Sequence, residues 1–251
     1  VPEEESGRME ITLQLDTSDM AGKTIVVFSE LYWENICVAS HKDLSDEAET
    51  VRVPKVGTTA LDGDTGTHVG TVGEMVEIVD TVSYTGLTPG KEYTVSGTLY
   101  VRETEATLEI SGEPVTAEKI FIPEEPDGTI ELVFCFDSTP LAGQTVVAFE
   151  TLTYEGVQVA THADIQDSGQ SINYPSIHTQ AQGEETKIQQ AATGKDTEIV
   201  DTVSLSNLIP GEEYALQGEI IDRETGERIQ MDVAELFFTA EAEEESKEML
   251  F

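Results

Sequence analysis

The chain has 251 residues, and its 50 Asp and Glu side chains outnumber 13 Lys and Arg, which gives a formal net charge of −37. A chain this acidic repels phosphate groups, so nucleic acid and anionic membranes are excluded as electrostatic partners. The acidic residues are dispersed, which is typical of a solvated surface that keeps a long protein soluble. The length corresponds to about two domains.

The sequence repeats itself at an offset of 121 residues. Residues 1–54 align without a gap on residues 122–175, and 19 of those 54 positions are identical. The segment Glu77–Ser83 recurs unchanged as Glu198–Ser204. A period of this length is the size of a domain, so it indicates an array of separate domains and not a solenoid.

This repeat divides the chain into three units. Residues 1–54 are the C-terminal half of a repeat with a degenerate site, residues 55–175 are a complete repeat, and residues 176–251 are the N-terminal part of another. The units join near Pro54 and Pro175, and short Pro-containing linkers favour a semi-rigid rod.

Because the chain starts and stops inside repeats, we expect it to be a window from a longer array. A second possibility is that residues 1–54 and 176–251 complement each other, within one chain or between neighbouring copies, since open sheet edges invite strand pairing. We expect no membrane span and no signal peptide in the chain.

Strand patterns follow one another along the chain and are separated by turn residues. Runs of β-branched and aromatic residues occur at Tyr93–Tyr100, Ile130–Phe136 and Thr145–Thr151. Leu87–Gly90 and Pro126–Gly128 supply the Pro and Gly of turns. The patterns predict an all-β chain of tandem immunoglobulin-like β-sandwich domains in an extended array.

Two carboxylates fall on the apolar faces of predicted strands. Alternation places Asp80 with Val76, Ile78 and Val82, and Glu77 on the opposite face. By the same parity Glu150 shares a face with apolar neighbours. Acidic side chains are almost never buried unless they are paired. The pattern fits two inward acids that share one proton, and equally a buried acid that is hydrogen-bonded to a loop.

A polar cluster, His162–Gln170, comes just before the end of the complete repeat. In the first unit His41 matches His162, but Glu49 replaces Gln170 and Ser29 replaces Glu150. The joint loss of Glu and Gln is expected if the two residues serve one chemistry. Without this correlation, a His and a Gln near a strand end are ordinary surface residues.

Cysteine and metal chemistry receive little support. Cys37 and Cys135 do not occupy equivalent positions in the repeat, so we predict two unpaired, buried thiols. A bridge between them remains an alternative. Asp62–Gly66 resembles the start of a calcium loop, but the spaced ligands and the distal Glu are missing. We therefore expect no metal and no cofactor.

Five motifs in this order resemble the VaFE repeats, the Thr–Gln ester-bond domains of Gram-positive surface adhesins and pilus-like stalks. The motifs cover nearly the whole chain, and their order and spacing are specific as a set. They are Thr58-x-Ala60, Asp80–Tyr84, Gly86–Gly90, Val147–Glu150 and His162–Gln170.

The resemblance implies an autocatalytic cross-link between the first and last strands. In that family a Thr hydroxyl attacks a Gln carboxamide and ammonia leaves, assisted by a buried Asp and Glu and by a His. Carried over, the nucleophile is Thr58, since Thr179 matches it whereas Gln180 matches Thr59. The remaining residues that the resemblance implies are the electrophile Gln170, the acid pair Asp80 and Glu150, and the proton acceptor His162.

The implied function is mechanical. Such a unit would be a structural stalk domain of an extracellular, cell-wall-associated adhesin, and one turnover per molecule does not make it an enzyme. Its partners would be neighbouring repeats, with a host surface ligand bound through another domain. A ligand-binding β-sandwich without a cross-link and a strand-complemented filament subunit are the alternatives. The third unit supplies only a partial second site, Thr179 and Asp201.

Overall fold

The computed structural model describes residues 7–194, 197–229 and 234–251, so residues 1–6 of the first unit lie outside it. The regular elements in these ranges are strands and three short 3-10 helices, which makes the chain all-β. None of the described residues belongs to a helix that is long and apolar enough to cross a membrane.

The central unit is a sandwich of two antiparallel sheets. One sheet has the order β12-β6-β5, and the other has the order β11-β7-β13-β14, with β15 added to β13 and β8 to β7. The strands are β5 (Lys55–Asp62), β6 (Val76–Thr85), β7 (Tyr93–Val101), β8 (Ala106–Thr107), β9 (Glu109–Ile110), β10 (Glu113–Pro114), β11 (Thr116–Phe121), β12 (Gly128–Phe136), β13 (Thr145–Tyr154), β14 (Val157–His162) and β15 (Ser171–Asn173).

The core lies between these two sheets because the strands alternate apolar and polar residues. In β6 every second residue from Val76 to Tyr84 is buried, and the residues between them face outward or are half-buried. Gly97 of β7 allows the sheets to approach closely, since a Cβ there would lie 2.5 Å from the Phe134 ring and 2.9 Å from Leu132. Burying each large apolar side chain stabilises the fold by about 1.5–3 kcal/mol.

Strand β13 changes its partner midway, and this change positions the candidate site. Its first part, Thr145–Val147, pairs with β15, and its second part pairs with β14 from Glu150 onward. Between β14 and β15 the chain leaves the sheet and forms the 3-10 helix Ser168–Gln170. Gln170 therefore lies inside the sandwich, next to the middle of β13 and close to Glu150.

The first and third units repeat parts of this architecture. The first unit contains β1 (Thr24–Val26), β2 (Ser29–Trp33), β3 (Ile36–His41), the 3-10 helix Glu47–Glu49 and β4 (Thr50–Arg52), with pairs β1-β4 and β2-β3. The third contains β16 (Ser176–Gly183), β17 (Ile199–Ser206), β18 (Glu213–Gly218), β19 (Ala234–Thr239) and β20 (Glu245–Leu250), ordered β16-β17-β20 and β18-β19. The remaining 3-10 helix, Thr139–Leu141, precedes β13.

No described strand of the first unit pairs with a described strand of the third unit. In the described ranges, the strands of the first unit pair only with each other, and so do those of the third. Apolar side chains consequently remain exposed on β2 and β3, among them Leu31, Trp33 and Ile36, each 62% exposed.

The prediction of buried cysteines is wrong. Cys37 and Cys135 are unpaired, as predicted, but both are exposed. Cys135 lies between Phe134 and Phe136, which are buried on the inner face of β12. Strand parity therefore turns the thiol outward, and the same parity was already visible in the sequence.

Candidate functional site

Thr58 faces the interior from the edge strand β5. It pairs with Val82 of β6, and its neighbours on the same face, Val56 and Ala60, are 3% and 0% exposed. Thr59 points to the opposite side and is exposed. The structure thus places the first of these two hydroxyls toward the core, which is the choice that the repeat alignment favours.

Asp80 and Glu150 meet inside the sandwich from opposite sheets. Asp80, on β6, is 0% exposed, and Glu150, on β13, is 1% exposed. Ala60 lies opposite Asp80 in the strand register, so a small side chain leaves room beside the carboxyl group. Glu77 is exposed on the outer face of β6, as the alternation predicts.

Burial raises the pKa of both carboxyl groups because it penalises the charged form. The pKa of Glu150 rises further because Asp80 adds a like charge. When both are ionised, the two oxygens of Asp80 and Oε1 of Glu150 have no hydrogen-bond donor. A proton on Oε1 of Glu150 that is donated to one oxygen of Asp80 would pair two of these three atoms, so we predict that the two acids share one proton.

Gln170 completes the cluster. Its side chain is 0% exposed. Nε2 donates one hydrogen bond to Oγ1 of Thr58 and another, at 2.5 Å, to Oε2 of Glu150. The structure therefore brings a hydroxyl, a carboxamide and an acid together in one buried place, although Thr58 and Gln170 are separated by 112 positions in the sequence.

His162 lies beside this cluster and not inside it. It pairs with Glu150 in the strand register, and it is close enough to Asp80 for its charge to lower the pKa of that carboxyl group. Its Nε2 contacts Oδ2 of Asp167 at 2.8 Å. Within the described part of the chain, no hydrogen bond joins it to Thr58 or Gln170. Its role as proton acceptor stays a prediction.

Asp167 is a residue to which the sequence reasoning assigned no role. One carboxylate oxygen contacts His162, and the other accepts from the backbone N–H of Gly169 at 2.8 Å. The hydrogen bond from His162 lowers the pKa of Asp167. The carbonyl oxygen of Asp167 accepts from the backbone N–H of Gln170 at 3.3 Å. Asp167 thus connects the imidazole to the turn that carries Gln170.

The first unit keeps the contact between the His and the Asp, but it lacks the Gln and Glu side chains of the site. His41 Nε2 contacts Oδ2 of Asp46 at 2.8 Å, and Oδ1 of Asp46 accepts from the N–H of Ala48 at 2.8 Å. Ser29 pairs with His41 where Glu150 pairs with His162, and Glu49 occupies the place of Gln170. The His–Asp pair therefore forms without the Gln and Glu side chains.

The third unit reproduces the strand register of Thr58 and Asp80. Thr179 pairs with Val203, and Ala181 pairs with Asp201. Thr179 is exposed, because no described strand covers this face of β16 as the sheet of β13 covers β5. One oxygen of Asp201 is buried without a hydrogen-bond partner.

The loop after β5 holds the last strand in place. The N–H of Gly70 donates to the carbonyl of Asn173 at 2.7 Å, and the N–H of Asn173 donates to the carbonyl of His68 at 2.8 Å. Asp62, at the start of the suspected calcium loop, accepts from Thr71 and from the N–H of Thr65. Its carboxylate therefore fastens the loop, and no group of possible metal ligands occurs among the described residues.

Two solved structures are among those similar to the chain. Both are of a bacterial adhesin from Mobiluncus mulieris that contains intramolecular disulfide, isopeptide and ester bond cross-links, and both are 15% identical to this chain. The structure in space group P21 has a TM-score of 0.42 and covers 70% of this chain and 92% of that chain. The corresponding values for space group P1 are 0.41, 79% and 98%. No curated protein matches the sequence.

The model of one protein family matches along the chain. It describes the T-Q ester bond containing domain, and it matches residues 1–53, 54–174 and 175–251. These three matches together span all residues of the sequence. The chain belongs to the family of T-Q ester bond containing domains.

Proposed function

We propose that the central unit forms a covalent ester between Thr58 and Gln170, and that it serves as a load-bearing stalk domain. The observation that carries the proposal is the contact of the Gln170 carboxamide with the Thr58 hydroxyl and the Glu150 carboxyl group in a buried site. Two reacting groups held in contact by a folded scaffold gain the rate advantage of an intramolecular reaction.

The reaction exchanges one bond for another. The Thr58 hydroxyl oxygen bonds to the side-chain carbonyl carbon of Gln170, the bond from that carbon to Nε2 breaks, and the hydroxyl proton leaves with the nitrogen as ammonia. The hydroxyl needs a base to become nucleophilic, and the departing nitrogen needs a proton. In this scheme His162 accepts the hydroxyl proton, the shared proton of Asp80 and Glu150 passes to the departing nitrogen, and return of the proton from His162 restores the acid pair.

The neutral acid also activates the carbonyl. In the orientation of the structure, Oε1 of Gln170 is buried without a partner, which costs about 1–3 kcal/mol. A half-turn of the amide places this oxygen against Oε2 of Glu150. When the proton that Glu150 shares with Asp80 lies on Oε2 instead of Oε1, it donates to the carbonyl and stabilises the negative charge that develops on the oxygen during attack.

The position of the bond supports a mechanical role. Thr58 lies on the first strand of the unit, and Gln170 immediately precedes the last. A covalent bond between these points carries tension past the rest of the fold. By analogy with a disulfide, closing a loop on the order of 100 residues stabilises the folded state by about 4.7 kcal/mol through loss of unfolded-chain entropy.

The repeated organisation supports a stalk of a cell-surface adhesin. An array of acidic β-sandwich units stays soluble outside the cell, and each cross-linked unit makes it harder to extend. Each site reacts once, so the domain is not an enzyme in the usual sense. We further propose attachment to the cell wall and neighbouring repeats as the direct partners. The degenerate first unit, with Glu49 and Ser29, does not cross-link.

Intact-mass measurement of the purified chain tests the cross-link. We expect a mass that is short by one ammonia, and we expect Thr58→Ala and Gln170→Ala to restore the full mass. Thr59→Ala is the matched control, because the neighbouring hydroxyl faces outward, and it leaves the loss of ammonia intact. An unmodified mass for the folded wild-type chain, after prolonged incubation, contradicts the proposal.

A further inference from the structure

The loop that follows β17 makes a contact between the third and central units that lies outside the cross-link site. Asn207 is the first residue of this loop, and its backbone has a φ of 57°, in the left-handed region that Asn tolerates better than most residues. Its side chain reaches across the boundary near Pro175.

The side-chain amide of Asn207 makes four hydrogen bonds, and the partner in each of them belongs to the central unit. The amide oxygen of Asn207 accepts from Oγ1 of Thr145 and from Nδ2 of Asn173, each at 3.1 Å. The amide nitrogen donates to the carbonyl of Gln144 at 2.7 Å and to the carbonyl of Tyr174 at 3.2 Å. A half-buried amide whose donors and acceptors are all paired fixes orientation as well as distance.

The boundary near Pro54 offers a comparison within the same chain. Gly86 stands at the position equivalent to Asn207 and has a φ of 77°. The surrounding backbone repeats: Gly22 donates to the carbonyl of Val53 at 2.8 Å, as Gly143 donates to that of Tyr174 at 2.8 Å. Here a cleft of about 330 Å³, lined in part by Arg52, Pro54 and Gly86, remains between the units.

We infer that the residue at this position sets the stiffness of each boundary: Asn207 locks the third unit onto the central unit, whereas Gly86 leaves the first boundary free to bend. The amide binds the end of the preceding repeat, where it donates to two backbone carbonyls and accepts from two side-chain donors. The inference is independent of the ester, because none of the contacting residues belongs to the cross-link site.

The first boundary has room for the same contact. A Cβ added at Gly86 lies at ordinary contact distance, 3.7 Å from Cβ of Arg52 and from Cα of Pro54, and 3.9 Å from the carbonyl oxygen of Val53. The equivalents of Thr145 and Asn173 are Thr24 and Arg52, which retain donors for an amide oxygen. We therefore expect an Asn side chain introduced by Gly86→Asn to form the equivalent hydrogen bonds at the first boundary.

Spin-label distance measurements on the full chain test the inference. The exposed Cys37 and Cys135 lie in the first and central units, so labels on them report on the first boundary. For the second boundary, Cys37→Ser is combined with Glu248→Cys on the exposed side of β20. We expect a narrower distance distribution across the second boundary than across the first.

Reciprocal substitutions separate the side chain from the backbone. Asn207→Gly keeps the left-handed backbone free of strain and removes only the amide, so it should broaden the distribution across the second boundary. Gly86→Asn should narrow the distance distribution across the first boundary. Ser111→Gly, at another left-handed position with a φ of 57°, is the control and should change neither. Unchanged widths in both reciprocal variants, with folding intact by circular dichroism, overturn the inference.

Discussion

At the scale of single residues, the site depends on burying polar groups that water would normally solvate. Asp80, Glu150 and Gln170 are each 1% exposed or less, and the proton that we predict the two acids share would reduce the cost of burying them. A lone buried carboxylate would instead cost several kcal/mol. The burial that raises the pKa of Glu150 favours its protonated form, which is the form that the proposed reaction uses.

Removing either acid should slow cross-linking far more than it disturbs folding. Glu150→Gln and Asp80→Asn preserve shape but cannot hold the shared proton, and loss of acid–base assistance slows a reaction by roughly 10²–10⁴-fold. The rate is measured as the appearance of the ammonia-depleted mass after refolding. Glu77→Gln, on the outer face of the same strand, should react at the wild-type rate. Equal rates in all three variants contradict the assignment of the acid pair.

The raised pKa of Glu150 also predicts how stability depends on pH. In the Thr58→Ala variant, the folded state keeps a proton that the unfolded chain releases as the pH rises above the ordinary Glu value of 4.5. The free energy of unfolding should therefore fall with rising pH, by up to about 1.4 kcal/mol per pH unit, until the pKa of the folded state is passed.

The double variant Thr58→Ala/Glu150→Gln is the reference for this measurement, because its amide does not titrate. Urea unfolding of both variants across the pH range gives the difference that belongs to Glu150 and to its coupling with Asp80, and it cancels the effect of the remaining acidic residues. A difference that does not change with pH shows that Glu150 has the same pKa in both states.

At the scale of elements, the partner change of β13 and the turn before β15 deliver Gln170 to its place. The turn Ser168–Gln170 is a single 3-10 turn, so it has little stability of its own. Asp167 supplies the missing stability by accepting from Gly169 and by contacting His162 at the end of β14. The same pair in the first unit, His41 and Asp46, shows that this arrangement belongs to the repeat and does not require the cross-link.

We therefore predict that Asp167 positions Gln170. Asp167→Ala should slow cross-linking while the domain still folds, because the turn loses both contacts of the carboxylate. Asp164→Ala is the matched control, since Asp164 accepts from the N–H of Gln166 nearby but lies on the exposed side. If Asp167→Glu restores the rate and Asp164→Ala never lowers it, the positioning role is supported. A wild-type rate in Asp167→Ala contradicts it.

At the scale of the whole molecule, the repeat occurs with different site residues. The central unit closes two sheets over the site of the proposed cross-link, whereas the first unit has Ser29 and Glu49 at the positions of Glu150 and Gln170. The boundaries differ as well, because Asn207 bonds the third unit to the central one and Gly86 provides no side chain for the first.

The sequence by itself determined the all-β class and the repeat, and it predicted the residues of the site. Period-two alternation is a local property, so it placed Asp80 inward and Glu77 outward, and the repeat distinguished Thr58 from Thr59. The same rule places Cys135 outside, because it lies between the inward-facing Phe134 and Phe136. Family membership confirmed the resemblance, while the roles of the site residues stay predictions.

Only the tertiary structure decided which groups touch. The contact of Gln170 with Thr58 joins opposite ends of the unit, and it depends on how two sheets pack and where β13 changes partner. The link from Asp167 to His162 depends on the path of one turn, and that from Asn207 to Gln144 depends on how two units meet. Such contacts follow from packing across the fold, and packing leaves no periodic signal in the order of residues along the chain.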